Sequence, residues 1–484
     1  MSTEPTRAPG DCAPARVADP VCEGEPVRLG TPAGRAVVVA ATLGSGMALL
    51  DGTVVNVALR SIGEDLGAGL AALQWITNAY LLALASLILL GGSLGDRFGR
   101  RRVFVVGTLL FAGASLVCGL APTTEVLVAA RVLQGVGAAL LTPGSLAMIQ
   151  GAFAREDRAR AIGLWTGFGS IAAAVGPLLG GTLVDLASWR WIFLINLPLA
   201  AVTVLVAVRA VPESRDPDAV RGFDVAGAAL TAVALGGITW ALVEPGSDAA
   251  LPAAVVGVLA GVGFVVVERR SRHPLVPLGL FADRTFGAVN GLTLLVYAAL
   301  GALLFFLVLQ LQTVAGWDAL PAGLATMPIT VCMLLLAARG GELAQRIGPR
   351  VPLTVGPLVL AAGTLLLLRA DADTDGLRGY VVDVLPGITV FGLGLALLVA
   401  PLTATVLAAA PDRYAGVASG VNNAVARAGG LVAVAALPAL VGLSGVDYQV
   451  PDVFEAGYRA ALLVCAGLMV AGSLVAGLLV RDPR

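Results

Sequence analysis

Long apolar stretches follow one another along almost the whole chain, separated by short polar breaks. A helix of about 20 apolar residues crosses the roughly 30 Å hydrocarbon layer of a membrane, because each residue adds about 1.5 Å. The pattern therefore predicts an all-α integral membrane protein of about fourteen transmembrane helices. The predicted spans are 36–59, 74–95, 103–121, 126–149, 160–183, 191–210, 224–243, 251–267, 286–312, 320–342, 351–369, 380–403, 415–441 and 458–480.

The arginines between these spans predict the orientation, since basic residues accumulate in cytoplasmic loops. If the N-terminus is cytoplasmic, that side receives the arginine-rich loops that follow the second, fourth, sixth, eighth and tenth spans. The opposite side receives only Arg60, Arg190, Arg369, Arg378 and Arg459. We therefore expect a multi-pass protein of a bacterial plasma (inner) membrane with both termini in the cytoplasm.

One segment occurs twice: Gly92–Arg101 follows the second span, and the similar Gly341–Arg350 follows the tenth. Each ends the second helix of a six-helix block at the cytoplasmic side, which is typical of two parallel repeats in a rocking transporter. The fold class predicted is two six-helix bundles plus two inserted central helices. The predicted domains are a disordered cytoplasmic tail (1–35), an N-terminal bundle (36–210), a linker with two inserted helices (211–285), a C-terminal bundle (286–480) and a second cytoplasmic tail (481–484).

Composition excludes several other classes of protein. The chain is 57% hydrophobic and 13% charged, with a mean hydropathy of +0.89, so its solvent is largely lipid. A net charge of -1 leaves no basic surface for nucleic acid. A single histidine, His273, and five cysteines without ligand spacing argue against a metal site. The short loops carry no catalytic cluster, so we expect a transporter and not an enzyme, with a proton gradient and no cofactor.

Three ionisable residues fall deep inside predicted spans: Asp51, Arg131 and Arg427. Such residues cost several kcal/mol when unpaired and usually face a partner or a cavity. Counted along their helices, Asp51 lies about 22 Å and Arg131 about 20 Å from the cytoplasmic face, so they match in depth. A proton switch and a static salt bridge both explain such a pair.

Arg427 lies one helical turn after Asn423, on the same face of the thirteenth span. Two interpretations stand open for these residues. They contact the substrate in a central cavity, or they make hydrogen bonds between helices without a part in transport.

The turn Gly92–Arg101 combines glycines, which allow a tight helix end, with charges at the membrane surface. These charges can hold neighbouring helix ends in one conformation and release them in another. Simple anchoring of the chain is the alternative, although an aspartate adds nothing to anchoring. The predicted gating residues are Gly92, Asp96, Arg97, Gly99, Arg100 and Arg101.

The fifth span contains a proline flanked by small residues: Gly176, Pro177, Gly180 and Gly181. Proline bends a helix and glycine allows a neighbouring helix to approach closely. A dry, tightly packed patch at this position would stop ions from leaking during turnover. Ordinary helix packing is the alternative interpretation.

Together these segments, from about residue 36 to 480, resemble the major facilitator superfamily and specifically its fourteen-helix drug:proton antiporter family. Leu50–Leu59, Gln74–Trp75, Arg131–Gly137 and Gly176–Gly181 are similar to motifs of that family in the expected order. The resemblance implies a proton-transfer role for Arg131 with Asp51, and export instead of import. Asn56 and Gln134, which lie within these motifs, are added to Asn423 and Arg427 as predicted cavity residues.

Two departures from the family pattern are visible. Arg60 stands where the first-helix motif usually ends in proline, and Gln345 replaces the acid of the second gating turn. The later spans lack the deep acids with which some members bind dications. Neutral, zwitterionic or anionic lipophilic substrates are therefore expected.

The predicted function is secondary active export of small lipophilic compounds, such as drugs and antibiotics, in exchange for protons by alternating access. A dedicated exporter or a symporter of one endogenous metabolite is the alternative. The expected partners are the substrate, protons and membrane lipids, without nucleic acid, and the expected state is a monomer.

Overall fold

The computed structural model describes residues 27–215, 224–271, 274–411 and 414–481, which fold into helices joined by short connections. The α-helices are α1 (Pro32–Leu66), α2 (Leu70–Phe98), α3 (Arg100–Gly119), α4 (Thr124–Ala152), α5 (Arg155–Leu186), α6 (Trp191–Leu194), α7 (Asn196–Ala210), α8 (Val225–Val243), α9 (Ala250–Arg270), α10 (Arg284–Thr313), α11 (Ala319–Leu324), α12 (Met327–Ile347), α13 (Arg350–Leu366), α14 (Gly376–Gly379), α15 (Leu385–Ala408), α16 (Ala415–Leu440) and α17 (Pro451–Leu479).

Thirteen helical segments of the described chain are long and apolar enough to cross a membrane. Three of these segments each comprise two consecutive α-helices: α6 and α7, α11 and α12, and α14 and α15. Helix α5 has 32 residues and an apolar portion at Val175–Leu186. With α5 the described chain has the expected number of spans, and the predicted all-α membrane fold is confirmed.

The same pattern of helix neighbours occurs in two sets of six spans. Helix α4 packs against α2 and α3, whereas α1 packs against α5 and α7. In the second set, α15 packs against α12 and α13, whereas α10 packs against α16 and α17. This shared pattern is the predicted parallel repeat. The inserted helices α8 and α9 pack on each other, and α8 also packs on α2 and α16. The domain boundaries themselves stay predictions.

The two ends of the bundle are distinguished by the helices that begin and end there. Helix α1 begins, and α17 ends, at the end that we call the termini end. The opposite end, where α1 meets α2 and α10 meets α11, is called the far end. Six spans in each repeat alternate between these ends, so both gating turns lie at the termini end.

Part of the predicted N-terminal tail is attached to the bundle. The Val27 N–H donates to the Ala152 carbonyl at 2.8 Å, and the Leu29 N–H donates to the Asp157 carboxylate at 2.9 Å. Helix α1 begins at Pro32, before the predicted boundary, because Thr31 accepts a hydrogen bond from the Gly34 N–H and Pro32 suits a first helical position. Residues 1–26, 216–223, 272–273 with His273, 412–413 and 482–484 lie outside the described residues.

Two buried carboxyl groups meet at the termini end of the inserted helices. Asp224 Oδ1 accepts from the Gly227 N–H at 2.6 Å, and Glu268 Oε2 accepts from the Val276 N–H at 3.3 Å. Their other oxygens are buried, and neither has a hydrogen-bond partner in the described structure. A Cβ atom at Gly227 would lie 2.9 Å from Glu268 Oε1 and 3.0 Å from Asp224 Oδ2, so both free oxygens face the same point. Two like charges so placed are unfavourable.

Glu268→Gln is expected to raise the thermal unfolding temperature of the purified protein. The new amide donates to the free Asp224 oxygen and still accepts from Val276, a gain of about 1 kcal/mol. Intrinsic-fluorescence melting in detergent measures the change, with the ion-paired surface substitution Glu455→Gln as the control. A lower melting temperature for Glu268→Gln would show that the Glu268 carboxylate itself is needed.

Candidate functional site

Asp51 of α1 and Arg131 of α4 form an ion pair in the middle of the N-terminal bundle. Each side chain is only 1% exposed. The structure thus brings together the two residues whose matching depths predicted contact. A buried pair of this kind is stable only when further hydrogen bonds satisfy its remaining polar atoms.

A polar cluster supplies those hydrogen bonds. The Gln134 amide donates to Asp51 Oδ1 at 2.7 Å and to the Ser115 hydroxyl at 2.9 Å, and Gln134 Oε1 accepts from Arg131 at 2.6 Å. The Asn196 amide is 3.4 Å from Asp51 Oδ1 and 3.3 Å from Ser115 Oγ. Helices α1, α3, α4 and α7 therefore converge on one carboxylate. Hydrogen-bond donors therefore lie against both oxygens of Asp51.

Aromatic rings cover the guanidinium of Arg131. Its central carbon lies 4.4 Å from the centre of the Tyr80 ring and 5.8 Å from that of Phe193. Its Nε donates to the Ile76 carbonyl at 3.0 Å. Since a guanidinium stays charged in proteins, these contacts hold a permanent cation beside Asp51. Of the two side chains, only the Asp51 carboxyl group can change its charge by taking up a proton.

Two members of this cluster were not assigned from the sequence, and one was assigned elsewhere. Ser115 and Asn196 are polar residues inside apolar spans, and that feature is the signal by which they could have been found. Gln134 was predicted to line the substrate cavity. It is fully buried in the cluster instead, because it lies one turn from Arg131 on the face of α4 that meets α1.

A cavity of about 310 Å³ lies between the repeats, nearer the termini end than the far end. It contains Asn423 and Arg427, as predicted, whereas Asn56 is half-buried on α1 and is not part of the lining. The lining residues are Leu49, Tyr297, Leu402, Thr403, Val406, Leu407, Ser419, Asn422, Asn423, Ala426 and Arg427. Leu49 is two residues before Asp51, so α1 contributes both to the cavity and to the ion pair.

Hydrogen bonds between the two repeats close the far end. The Gln74 amide of α2 donates to the Val434 and Ala435 carbonyls of α16 at 2.7 and 2.9 Å. The Gln312 amide of α10 donates to the Val57 carbonyl of α1 at 2.8 Å. Arg60, the departure from the family pattern, donates to the Gln312 carbonyl and so strengthens the same contact.

Helix α5 completes this closure. Asp185 accepts from the Ala319 and Leu320 N–H groups at 3.1 and 2.8 Å, where α11 begins. A carboxylate is favourable at a helix N-terminus because unsatisfied N–H groups point towards it. The structure therefore shows a bundle that is closed at the far end, with its cavity on the termini side.

The glycines of the fifth span lie at this closure. A Cβ atom at Gly181 would collide with the Leu320 backbone, and Gly323 of α11 in turn contacts Pro177. Gly176 and Gly180 face α1, where a Cβ atom would collide with Thr53 and come within 2.9 Å of Val54 respectively. The motif thus lets α5 approach both repeats closely, as a dry packed patch requires.

The first gating turn holds its own repeat together in this conformation. Gly99 has φ 111°, a value that L residues rarely adopt, and a Cβ atom there would lie 2.7 Å from Glu213. The Glu213 carboxylate accepts from the Arg101 N–H at 3.0 Å and lies 3.7 Å from Arg102. The Arg101 guanidinium donates to the Val211 carbonyl at 3.0 Å. Glu213, which the sequence did not single out, is therefore the centre of this contact.

The remaining gating residues make local contacts. Asp96 pairs with Arg100 at 2.8 Å, one turn apart, and Arg100 also donates to the Ala147 carbonyl of α4 at 3.3 Å. The Arg97 guanidinium lies 5.5 Å from the centre of the Phe98 ring. Gly92 faces α4, where a Cβ atom would meet Pro143 at 3.7 Å. All these contacts stay within the N-terminal repeat.

Arg101→Ala and Glu213→Gln are expected to slow transport to a similar extent, with little effect on substrate affinity. The double variant should be no slower than either single variant, because both changes remove the ion pair between the Arg101 guanidinium and the Glu213 carboxylate, whose Nε and Oε2 atoms are 3.8 Å apart. Turnover and apparent affinity in reconstituted vesicles measure the effects. Additive losses, or a change confined to affinity, would contradict a joint gating role.

Comparison with known proteins identifies the family. The sequence profile of the Major Facilitator Superfamily matches residues 41–434. The multidrug resistance protein Stp of Mycobacterium tuberculosis is 36% identical over 406 residues, which cover 83% of this chain and 74% of that protein. The puromycin resistance protein pur8 of Streptomyces alboniger is 38% identical over 413 residues, with coverages of 84% and 80%. The tetracenomycin C resistance and export protein of Streptomyces glaucescens is 34% identical over 435 residues, with coverages of 89% and 79%.

Solved structures agree on the fold. A peptide transporter of the POT family, in complex with sulfate, superposes with a TM-score of 0.67 at 15% identity and covers 96% of this chain and 98% of its own. A bacterial homolog of the human lysosomal transporter Spinster gives a TM-score of 0.65 at 17% identity, with coverages of 93% and 97%. The chain is a multi-pass membrane transporter that belongs to the Major Facilitator Superfamily.

Proposed function

We propose that this transporter exports small lipophilic compounds in exchange for protons by alternating access. The observation that carries the proposal is the Asp51–Arg131 pair, one titratable carboxylate buried beside a permanent cation in the middle of the bundle. Relatives named for resistance to puromycin and for resistance to and export of tetracenomycin C support drug or antibiotic substrates.

The direction of transport follows from orientation. The arginine distribution supports an orientation with both termini in the cytoplasm of a bacterial cell and the protein in the plasma membrane. The termini end is then the cytoplasmic end, and the cavity lies on the side from which an exporter takes its substrate. The hydrogen bonds of Gln74, Gln312 and Asp185 keep the outside closed in this conformation.

Proton coupling needs Asp51 to be charged in one conformation and neutral in the other. In the conformation seen here, Arg131 and Gln134 donate hydrogen bonds to its two oxygens. When the far end opens, a proton from outside can neutralise Asp51 and weaken its attraction to Arg131. Return to the inward conformation restores the pair and drives the proton towards the cytoplasm. The cycle therefore couples the ion pair to the movement of α1 against α4.

The first gating turn and the glycine-rich segment of α5 act at opposite ends of the bundle. The Glu213–Arg101 contact makes α3 and the end of α7 one rigid unit, so the N-terminal repeat can move as a body. The Gly176–Gly181 segment allows dry contact between the repeats at the far end while the cavity is loaded from inside.

A dedicated exporter of one endogenous metabolite is the second candidate. The cavity volume of about 310 Å³ lies at the lower end of the range for small-molecule sites, which favours a narrow set of compounds. A panel that includes metabolites as well as drugs distinguishes the two candidates.

Asp51→Asn is expected to abolish proton-coupled transport. Inverted vesicles energised by respiration, with a fluorescent pH indicator, receive puromycin, tetracenomycin C, dyes and metabolites in turn. With the wild-type protein, a transported compound should dissipate the pH gradient, and Asp51→Asn should remove that response because asparagine has no proton to exchange.

Asp65→Asn is the matched control, since Asp65 lies at the far end and is 47% exposed in its pair with Arg190. It should keep the response. Equal dissipation by Asp51→Asn would remove Asp51 from the mechanism. If no compound of the panel dissipates the pH gradient with the wild-type protein, that result would argue against proton-driven export.

A further inference from the structure

The two deep arginines of this chain have opposite environments. Arg131 is enclosed and neutralised by Asp51. Arg427 on α16 lies on the cavity wall, and among the described residues it has neither a salt bridge nor a hydrogen-bond partner. A cation held in the middle of a bundle without a partner is costly, and in membrane proteins such a residue usually marks a ligand pathway.

The cavity itself provides no counter-charge for Arg427. Its eleven lining residues include no aspartate or glutamate. A guanidinium cannot lose its proton to relieve the cost, so its charge has to be matched by water or by a bound anion. An anionic group of the substrate fits this requirement, whereas a cationic substrate would meet like charge.

Polar side chains of α16 line the cavity on the side of Arg427. Asn423 is exposed one turn before Arg427 on the same helix face, and one N–H of its amide donates to the Ser419 carbonyl at 3.0 Å. Asn422 is engaged elsewhere, because its amide donates to Thr293 of α10 at 2.8 Å and to Asn290 at 3.2 Å. The Arg427 guanidinium and the second N–H of the Asn423 amide are thus left for a ligand.

The other side of the cavity is apolar. Leu49 of α1 and Leu402, Val406 and Leu407 of α15 form it. A compound that suits both sides carries a small anionic group, such as a carboxylate, on an apolar body. Guanidinium groups bind carboxylates with two parallel hydrogen bonds, so the polar side also selects the orientation of such a compound.

We propose that Arg427 binds the carboxylate of a lipophilic monoanion, so that the compounds exported are organic acids. This inference rests on the proposed export function and names the class of substrate for its cavity. It makes Arg427 the residue that selects the substrate and Asp51 the residue that exchanges the proton. The two sites share α1 but use separate arginines.

Three probes that share a naphthylmethyl body and carry a negative, a neutral or a positive group test the proposal: 1-naphthaleneacetate, its methyl ester, and 1-naphthylmethyl-trimethylammonium. Calorimetry measures their binding to the full chain in nanodiscs at neutral pH, with empty nanodiscs as the reference for partition into lipid. The wild-type protein should bind the carboxylate at least about tenfold more tightly than the ester, since a hydrogen bond to a charged group is worth that much or more. The cation should bind most weakly.

Arg427→Gln should lower the affinity for the carboxylate to that for the ester and leave the ester unchanged. Arg427→Lys, which keeps the charge but not the paired donors, should retain part of the preference and shows that the site still folds. Arg459→Gln, a surface arginine paired with Glu455, is the control and should behave as wild type.

Three results would overturn the proposal: ester binding as tight as carboxylate binding, a carboxylate preference that survives in Arg427→Gln, or no binding of the carboxylate at all. Binding is measured without a proton gradient, so these results are independent of proton coupling. Failure of the proposed function is recognised separately, by loss of the wild-type response in energised vesicles.

Discussion

A charge in the middle of a membrane protein needs a partner, and the N-terminal repeat is built around that requirement. Asp51 is buried, and its carboxylate is met by Arg131 and Gln134 of α4 and by Asn196 of α7. Removing one partner would leave a buried charge uncompensated, which is costly. The cluster therefore fixes how α1, α4 and α7 lie against one another.

The C-terminal repeat has no equivalent ion pair in the structure described, and its deep cation faces a cavity instead. The two repeats therefore differ in how they accommodate a deep arginine. In the N-terminal repeat Arg131 is paired with Asp51, and in the C-terminal repeat Arg427 lies on a cavity wall that carries no acidic residue. Helix α1 lies between them, since Leu49 lines the cavity while Asp51 belongs to the polar cluster.

Closure of the far end depends on backbone contact as much as on side chains. Gln74 and Gln312 donate to main-chain carbonyls, and Asp185 accepts from main-chain N–H groups of the other repeat. Such contacts require the helices to approach closely, which the glycines of α5 and α11 permit. The contacts that close the far end thus combine side-chain hydrogen bonds to the backbone with close packing of helices.

The sequence by itself determined the spans, the internal repeat and the depth of each charged residue, because hydrophobic length and arginine placement are linear properties of the chain. Matching depth was enough to predict that Asp51 meets Arg131, and helical spacing was enough to put Asn423 and Arg427 on one face. Only the tertiary structure decided which neighbour each face meets. In the structure Gln134 lies beside the ion pair and not on the cavity wall, and Ser115 and Asn196 belong to the same polar cluster. Glu213 contacts the gating turn although about 110 residues of chain separate them. Spacing along a helix sets depth and relative direction, whereas the rotation of each helix in the bundle follows from packing against partners that are distant in sequence.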